Sequence, residues 1–298
     1  MKRKTIGEKM ETIKEQKWDI EVRSDRKGTD INLKELIACR DLIFLFVRRT
    51  FVAQYKQTIL GPAWAVIQPF FTTIVYSIFF GNIAGLGAEG VPNFIFYLSG
   101  TIMWTLFSNC LTHTSDTFIG NSAIMGKVYF PRLVMPISTA ISQFISFFIQ
   151  YAFMLCFLLY YVLVGSNVTP NWYVLMTPLL LIQMAILGMG FGTIISSLTT
   201  KYRDLKMVVG FGVSLWSYCS PVAYDMFSRS ALMPGSDFYH LYMLNPVTPV
   251  INIFRYAYLG IGSIDWTFYG ISWIVTIIVA TIGIKLFSKV EKTFMDTV

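Results

Sequence analysis

The chain has 298 residues, of which 54% are hydrophobic and 14% are charged, whereas about 25% of the residues in a soluble domain are charged. A formal net charge of +7 at pH 7 would suggest a nucleic-acid partner for a soluble protein, but the sidedness of membrane loops explains it better here. The composition excludes a soluble enzyme and predicts an all-α integral membrane protein without a nucleic-acid partner.

The first 58 residues precede the apolar windows and divide into two segments. Residues 1–34 are polar and match no motif, which is typical of a flexible cytoplasmic tail. Residues 35–58 predict an amphipathic helix on the inner membrane surface. Its apolar face holds Leu36, Ile43, Val47 and Phe51, and its charged residues are Arg40, Asp41, Arg48, Arg49 and Lys56. Periodicity alone allows a simple anchor on anionic headgroups or a contact with a partner.

Residues 59–298 predict one transmembrane domain with six spans, each long enough to cross a bilayer. The six apolar windows cover residues 62–84, 93–115, 136–164, 172–199, 207–227 and 267–287. With the N-terminus inside, Arg229 and Arg255 are the only basic residues on the outer side. The positive-inside rule therefore places both termini of this multi-pass protein in the cytoplasm and predicts the cytoplasmic (inner) membrane.

The stretch between spans five and six is apolar enough to suggest a seventh crossing. It carries Asn245, Pro246, Pro249 and Arg255, and a seventh span would put the C-terminal lysines outside. We instead predict a re-entrant pair of short helices on the extracytoplasmic side, where protein or water must satisfy the broken backbone.

The spans lack the side chains that ion-driven transporters and enzymes need. The central parts of spans one, three, four and six contain no Asp, Glu, His, Lys or Arg, although ion-coupled transporters place such groups there. His113, Asp116, Asp225 and His240 lie at or beyond span ends, and the four cysteines form no CxxC pair. We predict no catalytic residue, metal site, disulfide or bound cofactor.

Residues 120–128, GNSAIMGKV, are close to a phosphate-binding loop but do not match it. Five residues separate the glycines and Val128 follows the lysine, whereas that loop needs four residues and a hydroxyl side chain. Any energy that the protein uses must therefore come from elsewhere.

Short motifs follow one another along the chain from residue 36 to the end. They are RD at Arg40 and Asp41, YKQTILGPAW at 55–64, IQPF at 67–70, KVYFPR at 127–132, KYRDLK at 201–206, SPVAY at 220–224, NP at 245–246, FRYAYLG at 254–260 and the C-terminal VEKTFMDTV. In this order they resemble the type-2 ABC exporter permeases that move O-antigen or teichoic acid polysaccharides.

The resemblance implies a homodimer that binds two copies of a separate ATPase subunit, which would hold ATP and Mg, and a channel for a lipid-linked polysaccharide among the membrane lipids. By resemblance, the ATPase contacts would be Arg40, Asp41, Arg48, Lys56, Tyr129, Phe130, Pro131, Arg132, Tyr202, Arg203 and Asp204. A solvated loop pair is the alternative for Arg203 and Asp204.

Channel or gate candidates come from the same motifs and from aromatic residues in or near the spans, whose rings can stack on sugars. They are Tyr55, Leu60, Gly61, Trp64, Tyr76, Trp104, Phe107, Tyr151, Asn245 and Arg255. Membrane-interface anchoring or helix packing is the alternative for the rings. Gly188, Gly190 and Gly192 predict close helix approach, within the bundle or between two copies.

Two other functions remain open at this point. The same ABC permease could carry a drug or a small lipid instead of a polysaccharide. A membrane-bound glycan-modifying transferase is the alternative from another class, and it would need essential polar residues, for which His113, Asp116, Asp225 and His240 are the candidates.

Overall fold

The structure is a computed structural model that describes residues 33–56, 58–121, 124, 130–200, 202, 204–227 and 236–297. These residues form helices, turns and loops. The helices are α1 (Leu33–Ala38), α2 (Arg40–Tyr55), α3 (Trp64–Tyr76), α4 (Asn93–Ser115), α5 (Thr117–Gly120), α6 (Val134–Leu163), α7 (Thr177–Thr199), α8 (Leu205–Tyr218), α9 (Asp237–Met243), α10 (Val247–Leu259) and α11 (Trp266–Thr297). The prediction of an all-α protein is confirmed for the part of the chain that the structure describes.

Five helical segments in these ranges are long and apolar enough to cross a membrane. They are Gly61–Ile83, Asn93–Ser115, Val134–Leu163, Trp172–Thr199 and Trp266–Val290. The first joins α3 to a 3₁₀ turn at Gly61–Ala63 and a π-helical turn at Ser77–Ile83, and the fourth adds a 3₁₀ turn at Trp172–Met176 to α7. Predicted spans one to four and six are confirmed as candidate spans, with ends that differ by at most a few residues.

Helix α4 is the most buried of these segments, and it packs along α7 through glycines. A Cβ atom at Gly188 would lie 2.7 Å from the Cβ of Cys110, and one at Gly192 would lie 2.7 Å from the carbonyl oxygen of Leu111 and 2.5 Å from the Cβ of Thr114. Since real Cβ atoms do not approach so closely, the two backbones meet only because these residues have no side chain.

The opposite side of α7 uses glycine in the same way against α11. A Cβ atom at Gly190 would lie 3.0 Å from the nitrogen of Ala280, and one at Gly283 would lie 2.6 Å from the carbonyl oxygen of Gly190. The glycines of α7 therefore act within the bundle, which settles the alternative that the sequence left open.

The prediction that span five continues to residue 227 is wrong. Helix α8 has 14 residues, which is about 21 Å and too short for a hydrocarbon core of about 30 Å. The chain then turns through a segment that contains Pro221, and its carbonyls bind side chains instead: Asn245 donates to Cys219 at 2.9 Å, and Arg255 donates to Val222 at 3.0 Å. The sixth crossing stays a prediction.

Two short helices, α9 and α10, occupy the place of the predicted re-entrant pair, and α10 is almost completely buried. Helix α10 ends at Gly260, whose φ of 73° favours glycine. The backbone N–H of Asn171 donates to the carbonyl oxygen of Ala257 at 2.9 Å, so α10 is fixed to the loop before α7. Whether this pair enters a membrane stays a prediction.

The predicted amphipathic helix is two helices, α1 and α2, which meet at Cys39. Of the predicted apolar face, Val47 is buried, and the other buried side chains of α2 are Phe46 and Tyr55. Leu36, Ile43 and Phe51 are half-buried, and the charged residues predicted for the other face are exposed. The predicted division into an apolar and a charged face is therefore confirmed, and the helix packs along α6. Its location on a membrane surface stays a prediction.

The two ends of the bundle differ in charge. The rings of Phe118 and Phe287 stack at 4.3 Å, so α5 and the later part of α11 lie at one end. Lys206, Lys285 and Lys289 belong to this end, which we call the basic end. The loops around Asn171 and Asp225 lie at the opposite end.

Candidate functional site

The candidate site is a cavity of about 500 Å³ between α2, α3, α4, α6 and α8. Its lining residues are Gln54, Tyr55, Thr58, Trp64, Ala65, Gln68, Pro69, Thr72, Tyr76, Thr101, Trp104, Thr105, Ser108, Asn109, Ser146, Gln150, Val213, Ser214, Ser217, Tyr218 and Val222. No Asp, Glu, His, Lys or Arg is among these described lining residues. The wall instead combines hydroxyls, carboxamides and five aromatic rings.

This lining has limited chemical capabilities. Carboxamides and hydroxyls can donate and accept hydrogen bonds, and aromatic rings offer flat apolar faces. The described wall contains no carboxylate, imidazole or amine. Its hydroxyls, carboxamides and rings are suited to binding or passing a neutral polar molecule.

Two lining side chains have a buried polar atom that makes no hydrogen bond. They are the Oε1 atom of Gln150 on α6 and the Oγ1 atom of Thr101 on α4; the two residues are 4% and 5% exposed. Close by, the hydroxyl groups of Tyr55 and Ser146 pair at 3.0 Å. Each of the two atoms has less than 1 Å² of exposed surface, so a ligand in the cavity could pair with it only after a side-chain rotation. Because an unpaired buried polar atom is costly, such a hydrogen bond would be favourable.

Four of the predicted channel residues line the cavity together: Tyr55, Trp64, Tyr76 and Trp104. The others are not part of its wall. Phe107 lies behind Trp104, with its ring 5.1 Å from that of Trp216. Tyr151 shares a hydrogen bond with Tyr258, on the side of α6 that faces α7. Leu60 and Gly61 precede α3 without lining the cavity.

Asn245 and Arg255 shape the turn after α8 instead of lining the cavity. The side-chain oxygen of Asn245 accepts a hydrogen bond from the indole N–H of Trp216 at 3.2 Å. The guanidinium group of Arg255 donates to the carbonyl oxygens of Val222 and Tyr224 at 3.0 and 3.4 Å, and its central carbon lies 3.8 Å above the ring of Phe96. Both side chains therefore support non-helical backbone.

Arg255 is a buried cation, with 3% of its surface exposed. Burial lowers the pKa of Arg255 to about 10, and the negative charge of Asp225 opposes that shift. The group therefore stays charged at neutral pH, when its donors can hold the two carbonyl oxygens.

Most polar lining residues were missed by the sequence reasoning, which concentrated on aromatic residues. The missed residues include Gln68, Thr72, Thr101, Thr105, Ser108, Asn109, Ser146, Gln150, Ser214 and Ser217. A signal was present, because the pairs Gln68 with Thr72 and Ser146 with Gln150 are four residues apart, which places each pair on one face of an apolar helix.

The predicted ATPase contacts fall into two groups by exposure. Arg40, Asp41, Arg48, Lys56, Tyr202 and Asp204 are exposed, whereas Phe130 is buried and Pro131 and Arg132 are half-buried. Tyr129 and Arg203 lie outside the described residues. Phe130 belongs to a hydrophobic group, the basic-end cluster, that consists of Phe46, Phe118, Phe130, Val134, Met135 and Phe287. This cluster ties α2 to the start of α6, to α5 and to α11.

The four residues proposed for a transferase do not converge. Asp116 accepts a hydrogen bond from Lys206 at 2.9 Å at the basic end, beside the end of α4 where His113 lies. Asp225 and His240 lie at the opposite end, where the ring of His240 packs against Phe268. A catalytic centre needs its acid, base and substrate within hydrogen-bonding reach, so these residues form no single site.

Comparisons with known proteins identify the family of the chain. The family model for the ABC-2 type transporter matches residues 41–259. An O-antigen export system permease protein RfbA of Klebsiella pneumoniae is 27% identical over 257 residues, which is 86% of this chain and 94% of the relative. A protein of the same name from Myxococcus xanthus is 24% identical over 75% of this chain and 82% of the relative. The chain is therefore an integral membrane permease of the ABC-2 type transporter family, homologous to O-antigen export permeases.

Proposed function

We propose that the chain is the membrane subunit of an ATP-driven exporter that moves a lipid-linked cell-surface polysaccharide across the cytoplasmic membrane. The observation that carries the proposal is the cavity, whose described wall presents hydroxyls, carboxamides and rings without a carboxylate, imidazole, amine or guanidinium group. Sugars offer hydroxyl groups and apolar CH faces, which such a wall can bind through hydrogen bonds and stacking. The names of the homologous permeases support the same cargo.

A second copy of the chain would close the cavity off from lipid and make it part of a channel. Helix α3 is the least buried candidate span, and α8 exposes Met207, Phe211 and Leu215. These two helices flank the polar wall, and a polar groove open to hydrocarbon is unfavourable. A second copy that covers α3 and α8 would bury the apolar residues and shield the polar ones, so the proposed assembly is a homodimer.

The ATPase subunit would bind at the basic end, which the positive-inside rule puts in the cytoplasm. Exposed charges on α2, among them Arg48 and Lys56, offer a surface for it. The basic-end cluster connects α2 with α6 and α11, and Tyr55 at the end of α2 reaches Ser146 in the cavity wall. A movement of α2 would therefore shift the wall of the cavity directly.

Co-purification and surface glycan measurements test the proposal together. We expect an affinity-tagged chain to purify with an ABC ATPase subunit, and we expect deletion of its gene to remove a cell-surface polysaccharide that the intact gene restores. Loss of resistance to a drug with an unchanged surface glycan would favour the small-molecule alternative. An unchanged glycan together with a chain that never binds an ATPase would reject the proposal.

The contact between Phe46 and Phe130 gives a test of coupling. Their ring centroids are 5.7 Å apart, and replacing Phe46 with alanine removes a buried ring, which costs about 3 kcal/mol. We expect a lower melting temperature and reduced export, with ATP hydrolysis that no longer depends on substrate. Phe44, which is 71% exposed on the same helix, is the matched control, and Phe44→Ala should leave the melting temperature within a degree or so. Equal effects at both positions would contradict the role of the cluster.

A further inference from the structure

The structure points to a charge preference in the cavity. We infer that it accepts a stretch of uncharged, hydroxyl-rich glycan and discriminates against a polyanionic chain such as a glycerol phosphate polymer, with Gln150 and Thr101 as residues that bind the sugar. The inference rests on the proposed function, which it refines by naming the class of polysaccharide.

The first argument is the charge of the wall. Among the residues that the structure describes, 21 line the cavity, and none of these carries a full charge at neutral pH. A phosphodiester in such a place would lose water without gaining a lysine or arginine partner, and unpaired buried charges are strongly disfavoured. The penalty recurs with each repeating unit, so it grows with the length of polymer inside.

The nearest buried cation does not alter this conclusion. Arg255 lies behind the wall, where its guanidinium group holds the carbonyl oxygen of the lining residue Val222 and packs against Gly100. The side chain is 3% exposed, and the negative charge of Asp225 acts on it from nearby. An anion in the cavity therefore cannot contact this guanidinium directly.

The second argument is the pair of unsatisfied buried atoms. The Oε1 atom of Gln150 and the Oγ1 atom of Thr101 both belong to lining residues, and neither has a hydrogen-bond partner. The Oε1 atom can only accept a hydrogen bond, and a hydroxyl can donate or accept one. A sugar hydroxyl group could pair with either atom. The phosphodiester oxygens of a glycerol phosphate polymer only accept hydrogen bonds, and its free hydroxyl groups are fewer per unit than those of a hexose.

Gln143 provides a matched control for Gln150. It lies on the same helix, is 3% exposed, and also has an Oε1 atom without a partner, but it does not line the cavity. If the cavity binds sugar through Gln150, then Gln150→Leu weakens binding and Gln143→Leu does not. A merely structural role would give the two substitutions the same effect.

The test is calorimetric titration of the purified full-length chain in lipid nanodiscs at physiological salt. The probes are maltohexaose, which is neutral, and a glycerol phosphate oligomer of equal length. We expect the dissociation constant of the anionic oligomer to be at least about tenfold larger. Gln150→Leu should raise the constant for maltohexaose about tenfold while Gln143→Leu leaves it unchanged. Melting temperatures of both variants confirm that they are folded.

Adding a positive charge to the wall should reduce the preference for the neutral oligomer. Ser214 is an exposed lining residue of α8, so Ser214→Lys places an ammonium group at the cavity, and Ser214→Gln is the neutral control. We expect only the lysine variant to bind the anionic oligomer about tenfold more tightly.

Three results would overturn the inference: equal affinity for the two oligomers, no binding of either, or a Ser214→Lys variant without improved anion binding. None of these results would decide the proposed export function. That function is tested by ATPase co-purification and loss of surface glycan, which do not depend on the charge of the cargo. Conversely, a chain that bound maltohexaose but failed both export tests would reject the function and keep the charge preference.

Discussion

A Gly192→Ala variant is expected to be less stable than the wild-type chain by about 2 kcal/mol, and a Gly192→Leu variant is expected not to fold. The added Cβ atom would lie 2.5 Å from the Cβ of Thr114 and 2.7 Å from the carbonyl oxygen of Leu111. One of these contacts is with backbone, so no change of rotamer relieves it. Helices α4 and α7 must move apart, and α4 is the most buried candidate span.

Gly270 is the matched control, since it lies in α11 with no atom within 4 Å of its virtual Cβ. Gly270→Ala should raise stability by roughly 0.5–1 kcal/mol, because alanine has the higher helix propensity. Thermal unfolding in detergent, followed by size-exclusion chromatography of the soluble fraction, measures both variants. Changes of the same sign at the two positions would show that the close contact of α4 and α7 is not what requires glycine.

Replacing Arg255 with methionine is expected to cost about 3 kcal/mol and to abolish export. The substitution leaves the carbonyl oxygens of Val222 and Tyr224 without the donors that now lie 3.0 and 3.4 Å away. The turn after α8 then loses the group that compensates for its missing helical hydrogen bonds. Arg255→Lys should recover only part of the stability, since an ammonium group cannot reach both oxygens with the geometry of a guanidinium.

Gly100 allows a second test of the same contact. A Cβ atom there would lie 2.4 Å from the Nη2 atom of Arg255, so Gly100→Ala should displace the guanidinium and reproduce part of the Arg255→Met effect. The double variant should then be less destabilised than the sum of the single variants, as is usual for residues in contact. Additive changes in the free energy of unfolding would contradict this account of Arg255.

The span predictions show which parts of the fold can be derived from local composition. Five of six apolar windows correspond to helical segments long enough to span a membrane, because in lipid a continuous apolar segment can satisfy its backbone only as a helix. The prediction of a span at residues 207–227 was wrong. This window is as apolar as the others, but its helix ends at Tyr218. Side chains from residues 245 and 255, distant in the sequence, satisfy that backbone, and no local pattern reports them.

The candidate site, like the fold, could be predicted from local sequence only in part. Four of the channel or gate candidates, Tyr55, Trp64, Tyr76 and Trp104, line one cavity, although nothing in the sequence showed that Phe107 lies behind the wall. Polar residues spaced four apart indicate that a helix has a polar face, but they do not show which helices turn those faces toward one another. That information depends on packing, which here is set by the glycine contacts of α7 with α4 and α11.

Local composition and motifs are enough to predict the lipid environment of the chain, most of its spans and its family. These properties depend on the amount and order of apolar residues and on short motifs. Only the packed structure shows that α8 stops after 14 residues, that α2 also packs through Phe46 and Tyr55, and that the polar faces of several helices meet in one cavity whose described lining is uncharged. Each of these depends on groups far apart in the chain, whose contacts compete with local preference and are visible only once the helices are packed.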